Sequence, residues 1–180
     1  SVMRTPERFF DFGAYNQADM VIKSALKLVS DAYSPAIFSL STFESGTRAE
    51  ESTRKAHETT RDLATNPFIH LYENILLPSE NWEDYDVVGI SIIGISQIIP
   101  GLTLARMVKE KYPHLHLTLG GPIFSVNAGQ LSGHPEFFDD FCHSIVTFEG
   151  EEPMHRLLSA LKAGEPLKTV PNLLHVDGRE

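Results

Sequence analysis

Apolar residues recur at helical spacing near the start of the chain. From Asn16 they fall on one side of an amphipathic helix, which the pattern predicts to end before Ser34-Pro35. Residues 1–15 show no sustained period and are predicted to form an irregular or extended segment. We therefore interpret residues 1–34 as a helical and irregular lead-in, and residues 35–180 as the main domain.

The next apolar stretch, PAIFSLSTF at 35–43, predicts a short buried strand, with an exit loop from Glu44 to Thr47. A polar helix is predicted over 48–65. Asn66 is suited to cap a further helical turn that Pro67 would open, because asparagine accepts a bond from the free amides and proline needs none.

A run without polar alternation follows at residues 87–93, VVGISII, and predicts a central strand covered on both faces. Pro100 is predicted to open the next helix, and HLHLTLGG at 114–121 to form the neighbouring strand. The last third predicts, in order, a weak helix at 124–133, a strand at 142–148, a helix that starts at Pro153, and a strand or edge segment at 170–178.

Strands that alternate with helices at short spacing predict an α/β fold with a mostly parallel central sheet. The expected architecture is a Rossmann-like (flavodoxin-like) three-layer sandwich. In such sheets ligands bind beyond the carboxyl ends of the strands. The candidate ligand-binding residues therefore lie in four loops at one rim: Ser45, Gly46, Ser91, Gly94, Ile95, Ser96, Gln97, Gly120, Gly121, Pro122, Ile123, Phe148, Glu149 and Gly150.

The glycine pair Gly120-Gly121 has two interpretations. Glycine permits a tight strand-to-helix turn, and it also lets a flat ligand approach the backbone closely. Ser91 also has two interpretations, because a hydroxyl in a strand can form a hydrogen bond with the neighbouring backbone or with a ligand. Glu151 and Glu152 fit a helix start better than a catalytic site, whereas Glu149 remains a candidate pocket residue.

Composition narrows the classes of partner. The 180 residues are 42% hydrophobic and 22% charged, as in ordinary globular proteins, and no stretch is long and apolar enough to span a bilayer. A net charge of −9 disfavours nucleic acid. The lone Cys142 excludes an internal disulfide framework, and with no signal-peptide pattern the expected compartment is the cytoplasm.

Motifs for catalysis or metal binding are missing from the sequence. His114 and His116 share a face at strand spacing, but no second pair or acidic cluster accompanies them, so no metal site is expected. GxGxxG, Walker lysine and GxSxG patterns are also missing. Cys142, in a predicted buried strand, is expected to be inert. The residues thus predict a ligand shelf without catalytic residues.

Three segments together, the run from Asp86 to Gly121, FEGEEPMHRLLSAL and VPNLLHVDG, resemble the amino-terminal cobalamin-binding domain of B12-dependent radical SAM enzymes. The resemblance is clear from Asn66 to Gly178 and weaker before it. It implies a fold of the cobalamin-binding-domain type. It also implies that Ser91, Gly120 and Gly121 line the pocket for the corrinoid and its nucleotide tail.

The sequence departs from that family's pattern in two places. Gly46 stands where corrinoid domains with an Asp-x-His-x-x-Gly loop carry their cobalt-ligating histidine, so no histidine of this loop is expected to ligate cobalt. The three-cysteine motif of radical SAM enzymes is also missing. The resemblance therefore implies a fragment whose parent carries a radical SAM barrel after residue 180, with S-adenosylmethionine and a 4Fe–4S cluster, for methyl transfer, cyclisation or rearrangement.

By this interpretation the domain's partners are the corrinoid and its own C-terminal radical SAM domain, and the fragment alone is not catalytic. Two alternatives stay open. One is a degenerate, cofactor-free module that serves as a docking or substrate platform. The other is a flavodoxin-like nucleotide binder.

Overall fold

The computed structural model describes residues 2–176, and its regular elements follow one another along the chain with short connections. The helices are α1 Pro6–Phe9, α2 Phe12–Ala32, α3 Thr53–Thr59, α4 Pro67–Leu71, α5 Leu77–Ser79, α6 Ile98–Lys111, α7 Pro122–Val126, α8 Ala128–Leu131, α9 Pro135–Phe141 and α10 Glu151–Ala163. The strands are β1 Ile37–Phe38, β2 Phe43–Glu44, β3 Val87–Ser91, β4 His116–Gly120, β5 Ser144–Val146 and β6 Leu173–His175. Single turns of 3₁₀-helix occur at Val2–Arg4, Ala49–Glu51, Trp82–Asp84, Ile95–Gln97 and Leu167–Thr169, and a π-helical turn at Tyr72–Leu76.

Four strands form the main sheet in the order β3-β4-β5-β6. The first three are parallel and β6 is antiparallel. The register places Ser91 beside Gly120 and Gly120 beside Val146, so the three parallel strands end at one rim. The prediction of an α/β fold with a mostly parallel sheet is confirmed, and the arrangement is compatible with a Rossmann-like fold.

Helices cover both faces of this sheet, but unequally. On one face, α6 places Ile99, Leu102 and Val108 into the main core, against Leu117 and other apolar strand residues. On the other face, α10 forms a small core from Leu157, Ala160 and Val170. Successive strand residues alternate between the faces, which explains why Leu174 belongs to the main core and Leu173 to the small one.

The face that carries α10 is open over β3 and the end of β4. Its strand positions there are Gly89, Ser91, Thr118 and Gly120, and both Gly89 and Ser91 are exposed. The prediction that this strand is covered on both faces is therefore wrong. Among residues 2–176, β3 is an edge strand, and its exposed positions are small rather than charged, so no polar alternation marked them.

Residues 35–43 do not form a strand of the main sheet, which corrects the prediction for that segment. They hold β1 and β2, which pair antiparallel in a separate two-stranded sheet. The Ser39 hydroxyl accepts from the Thr42 amide at 2.9 Å, and the Ser39 amide donates to the Thr42 carbonyl at 2.9 Å. These local bonds close a turn in the middle of the apolar run, as serine and threonine favour.

Several helix boundaries also differ from the predictions. The predicted irregular segment 1–15 contains α1 and the start of α2, because the Asp11 side chain caps α2 by accepting from the Ala14 amide at 2.6 Å. The predicted helix 48–65 shortens to a 3₁₀ turn and α3.

Other elements agree with the predictions or are shorter than predicted. Asn66 caps α4 as predicted, accepting from the Phe68 amide at 3.1 Å, with Pro67 in the first turn. The helical stretch 124–133 divides into α7 and α8, and the strand at 142–148 shortens to β5. The tail segment holds β6, while residues 177–180 lie outside the described residues.

Candidate functional site

The carboxyl ends of β3, β4 and β5 border an open cavity of about 400 Å³ on the α10 face. Five predicted rim residues line it together: Ser91, Gly120, Gly121, Phe148 and Gly150. We call this cavity the sheet groove. Its remaining lining includes Gly89, Thr118, Val146 and Met154, which the sequence interpretation did not select.

Two glycines, which have no side chain, give the floor of the sheet groove its shape. A Cβ at Gly120 would lie 3.6 Å from the Val146 carbonyl oxygen, and a Cβ at Gly89 would lie 3.7 Å from Thr118 Cγ2. Both are ordinary contact distances, so neither glycine is required by the packing of the protein itself. Their effect is to leave the floor free of bulk where a larger side chain would stand.

Gly121, in contrast, is required by the backbone. Its φ is 115°, and a Cβ built there would overlap the carbonyl of Ile92. The adjacent Ile92 amide donates to the Gly120 carbonyl at 2.8 Å. Gly121 therefore lets the two loops cross at contact distance, which fixes the shape of the rim.

The loop after β3 closes on itself. The Gln97 side chain accepts from the Ile93 amide at 2.8 Å, and the Gln97 amide donates to the Gly94 carbonyl at 2.9 Å. This arrangement leaves Ile93 and Ile95 exposed to solvent. A polar side chain thus shapes the loop, while its apolar side chains face outward.

The loop after β5 presents an aromatic ring. Phe148 has φ of 59°, is 69% exposed, and donates its amide to Ser125 Oγ at 2.6 Å. Thr147 just before it donates its amide and its hydroxyl to the Asn172 carbonyl, at 2.9 and 3.0 Å. Sequence reasoning missed Ser125 and Asn172, because no local pattern marks a left-handed phenylalanine or its distant hydrogen-bond partners.

A buried polar chain runs across the sheet beneath the groove. Thr118 donates its hydroxyl to the Ser144 carbonyl at 3.3 Å and accepts from the Ser144 hydroxyl at 3.0 Å. The Ser144 proton is thereby used, so His116 Nε2, 2.9 Å from Ser144 Oγ, must donate. Burial, and then the neighbouring His143, lower the pKa of His116 to about 4. His116 is therefore neutral near pH 7.

Ser45 and Gly46 lie apart from the sheet groove. Ser45 is 3% exposed and donates its hydroxyl to Glu50 Oε2 at 3.1 Å. Gly46 has φ of 69°, and a Cβ there would overlap the Pro35 carbonyl. Because no larger side chain fits at Gly46 without displacing backbone, this loop is built around the glycine.

The other predicted rim residues divide into two groups. Ile95, Pro122 and Ile123 line a neighbouring cavity of about 510 Å³. The remaining ones line neither of these two cavities: Ser45, Gly46, Gly94, Ser96, Gln97 and Glu149. The structure thus gathers five of the predicted residues into one groove and distributes the rest around it.

The metal-ligating and nucleophilic side chains of the described residues form no further site at the rim. Within residues 2–176, no group of three or more His, Cys, Asp or Glu side chains could hold a metal ion. Cys142 lies at the end of α9, not in a strand, and is 1% exposed, and burial raises the pKa of its thiol far above the usual value. None of the described helices is both long and apolar enough to cross a membrane.

No family model matches the chain, and no curated protein matches it.

Proposed function

We propose that the chain is a cobalamin-binding domain, in which the sheet groove takes the nucleotide tail and the adjoining rim receives the corrin ring. The observation that carries the proposal is the meeting of Ser91, Gly120, Gly121, Phe148 and Gly150, from the ends of three parallel strands, in one groove. These residues include the serine and the glycine pair on which the resemblance to such domains rests.

The groove suits a flat aromatic base with a short polar linker. Its volume of about 400 Å³ lies within the range of small-ligand pockets, and it would take one arm of cobalamin rather than the whole molecule. Gly89 and Gly120 leave a flat floor that a Cβ would fill. Val146 and Met154 provide apolar contacts, and the exposed Ser91 hydroxyl is a hydrogen-bonding group for the linker.

The rim beside the groove suits the face of a macrocycle. Ile93, Ile95, Val126 and Phe148 are all large, apolar and exposed, and we call them the rim patch. A concentration of such side chains beside a groove is typical of a binding surface. Covering them would remove apolar area from water, which is favourable at about 25 cal/mol per Å².

The chain's own part in the chemistry is to bind and orient. When bound, cobalamin supplies one-carbon or radical chemistry at its cobalt, and the protein supplies position and surroundings. The Gly46 loop offers no imidazole to the metal, and its packing against Pro35 leaves no space for one. Binding in this proposal depends on the tail groove and the rim patch, not on a protein ligand to cobalt.

We further propose that a radical SAM domain of the parent protein provides S-adenosylmethionine cleavage at a 4Fe–4S cluster. Cluster binding requires three cysteines, and Cys142, the single cysteine of this chain, is buried. The domain would then present its corrinoid to that partner across the rim.

The experiment is co-elution of hydroxocobalamin with the purified chain on gel filtration, followed by visible absorbance. We expect a bound corrinoid, and at least tenfold weaker binding in Ser91→Tyr and Gly120→Leu, because each side chain would stand in the tail groove. Ser24→Tyr is the matched control, because Ser24 is exposed on α2. A colourless wild-type chain, or normal binding in folded Ser91→Tyr, would contradict the proposal.

A second candidate function is a cofactor-free docking platform, which the exposed rim patch favours. Such a module would stay colourless with every corrinoid, yet bind a separately expressed catalytic domain. Ile95→Glu should abolish that binding, whereas Ser91→Tyr should not. Stabilisation of the chain by FMN in a thermal-shift assay would instead indicate a flavodoxin-like nucleotide binder.

A further inference from the structure

A third cavity lies on the opposite face of the sheet, beside α6. Its volume is about 360 Å³, and it separates the 3₁₀ turn Ala49–Glu51 and α3 from α7, α8 and α9. The floor is apolar, with Ala56, Leu102, Phe124, Leu131 and Phe137 all buried. We call this cavity the acidic groove.

The walls of the acidic groove carry hydrogen-bonding groups above that floor. Glu50, Glu51 and Ser52 stand on one side, and Asn127 and Gln130 on the other. Among the described residues that line it, none is a lysine or an arginine. The lining therefore combines an apolar body with two carboxylates. Arg48, outside the lining, lies 3.9 Å from Glu51 Oε1, and the lining residue His134 is bonded to Glu136 at 2.6 Å. Among the described residues, Glu50 is thus the lining carboxylate without an ion pair.

Glu50 is held in place from below. The buried Ser45 donates its hydroxyl to Glu50 Oε2 at 3.1 Å, and the same Ser45 oxygen accepts from the Thr47 hydroxyl at 3.3 Å and the Ala49 amide at 3.4 Å. Oε1 of Glu50 accepts no hydrogen bond from the described residues. A carboxylate fixed through one oxygen is preorganised to accept from a ligand with the other.

The acidic groove opens toward the rim. The neighbouring cavity of about 510 Å³ shares Glu50, Glu51, Ile98, Ile123 and Asn127 with it, and continues past Pro122 and Val126. A small molecule therefore has a path from solvent at the rim to the apolar floor.

We propose that the acidic groove binds a small organic ammonium ion with a compact apolar body. The floor would take the hydrocarbon part, and Glu50 and Glu51 would accept hydrogen bonds from the ammonium. An anion of the same shape would meet two carboxylates in a partly desolvated groove, where repulsion is strong. This inference does not rest on the proposed cofactor, whose nucleotide tail would bind on the other face of the sheet. Its ring would cover Ile95 and Val126 at the rim end of the path, so the acidic groove is tested in the cofactor-free chain.

The test is titration of the ¹⁵N-labelled full chain with cyclohexylmethylammonium, with cyclohexanecarboxylate as the matched anion. We expect saturable amide shifts at residues 50–53 and 127–131 with the ammonium ion alone. Glu50→Gln, which keeps the shape and an oxygen for Ser45, should weaken binding about tenfold, since a hydrogen bond to a charged group is lost. Glu51→Gln should also weaken binding of the ammonium ion, and it cannot disturb the core because Glu51 is exposed.

The control variant is Glu165→Gln, an exposed acid that does not line the acidic groove, and it should bind as wild type. Ser91→Tyr should also bind the ammonium normally, which separates this inference from the corrinoid proposal. Equal binding of the carboxylate, unchanged affinity in folded Glu50→Gln and Glu51→Gln, or shifts confined to the sheet groove would each overturn it.

Discussion

Two rim glycines differ in what the protein requires of them. Gly121 has φ of 115° and no space for a Cβ beside Ile92, whereas Gly94 has φ of −133° and no atom within 4 Å of a built Cβ. The same residue type therefore serves the fold at one position and leaves open space at the other. Replacing Gly121 should therefore lower the free energy of unfolding, whereas replacing Gly94 should not.

We predict that Gly121→Ala lowers the free energy of unfolding by about 2–4 kcal/mol, because it adds a steric overlap to a strained φ. Gly94→Ala should range from no change to a gain of about 1 kcal/mol, because it restricts the unfolded chain without strain. Urea denaturation of both variants measures the difference. Equal stabilities would show that the Gly121 loop relaxes freely and that the rim is not fixed by this crossing.

At the scale of elements, β3 is the strand whose surroundings differ most from the sequence prediction. The His116 amide donates to the Asp86 carbonyl, and the Ile92 amide donates to the Gly120 carbonyl. Alternate residues of a strand bond to the same neighbour, so the amides of Val88 and Ile90 point to β4. Those of Val87, Gly89 and Ser91 point to the free edge.

We predict an alternating pattern of hydrogen exchange along β3. The amides of Val88 and Ile90 should be protected, and those of Gly89 and Ser91 should exchange rapidly, because only the first pair is bonded within the sheet. Residue-resolved exchange by NMR measures this. In β4, which has a strand on each side, Leu117, Thr118 and Leu119 should all be protected. Uniform protection along β3 would mean that a further strand, such as 35–43, pairs with it.

The elements that the sequence predicted well are those whose pattern is local. Helix α6 and the strands β3, β4 and β5 follow from periodicity and from Gly120-Gly121, although α6 begins at Ile98, two residues before the predicted start at Pro100. Segment 35–43 was mispredicted because the hydrogen bonds between Ser39 and Thr42 outweigh its apolar composition. A short apolar run does not reveal whether it continues or turns.

In the candidate site, too, some residues could be grouped from the sequence and others could not. Ser91, Gly120 and Gly150 could be grouped in advance, because the carboxyl ends of parallel strands meet at one rim. The separation of Ser45 from them could not, because it depends on a hairpin outside the main sheet. Nor could the acidic groove, whose two walls come from segments about 75 positions apart, Glu50 and Ser52 on one side and Asn127 on the other.

For the whole molecule, His116 at the start of β4 and His143 just before β5 make the free energy of unfolding depend on pH. His116 bonds to Ser144, and His143 Nδ1 accepts from the Leu117 amide at 2.9 Å. Both are half-buried, and burial is the main cause that lowers the pKa of each below its usual value. Protonating His143 at Nδ1 would also remove its bond to β4. Both rings therefore contribute to stability in their neutral form.

The pKa of His116 is about 4 in the folded chain, against 6.5 for an ordinary histidine. Between these values the unfolded chain binds more protons, so the free energy of unfolding must fall as the pH drops from 6.5 toward 4. The full stability is present above pH 6.5. The loss from His116 is at most about 3 kcal/mol, and contact of the ring with solvent makes it smaller.

We predict that His116→Gln, whose amide can still donate to Ser144, reduces the loss of stability between pH 6.5 and 4. His155→Gln, at an exposed position on α10, should leave the pH dependence unchanged. Urea unfolding at a series of pH values measures both. If the free energy of unfolding of His116→Gln decreases with acid as steeply as that of wild type, then other groups, such as the paired carboxylates, control the acid stability of the whole domain.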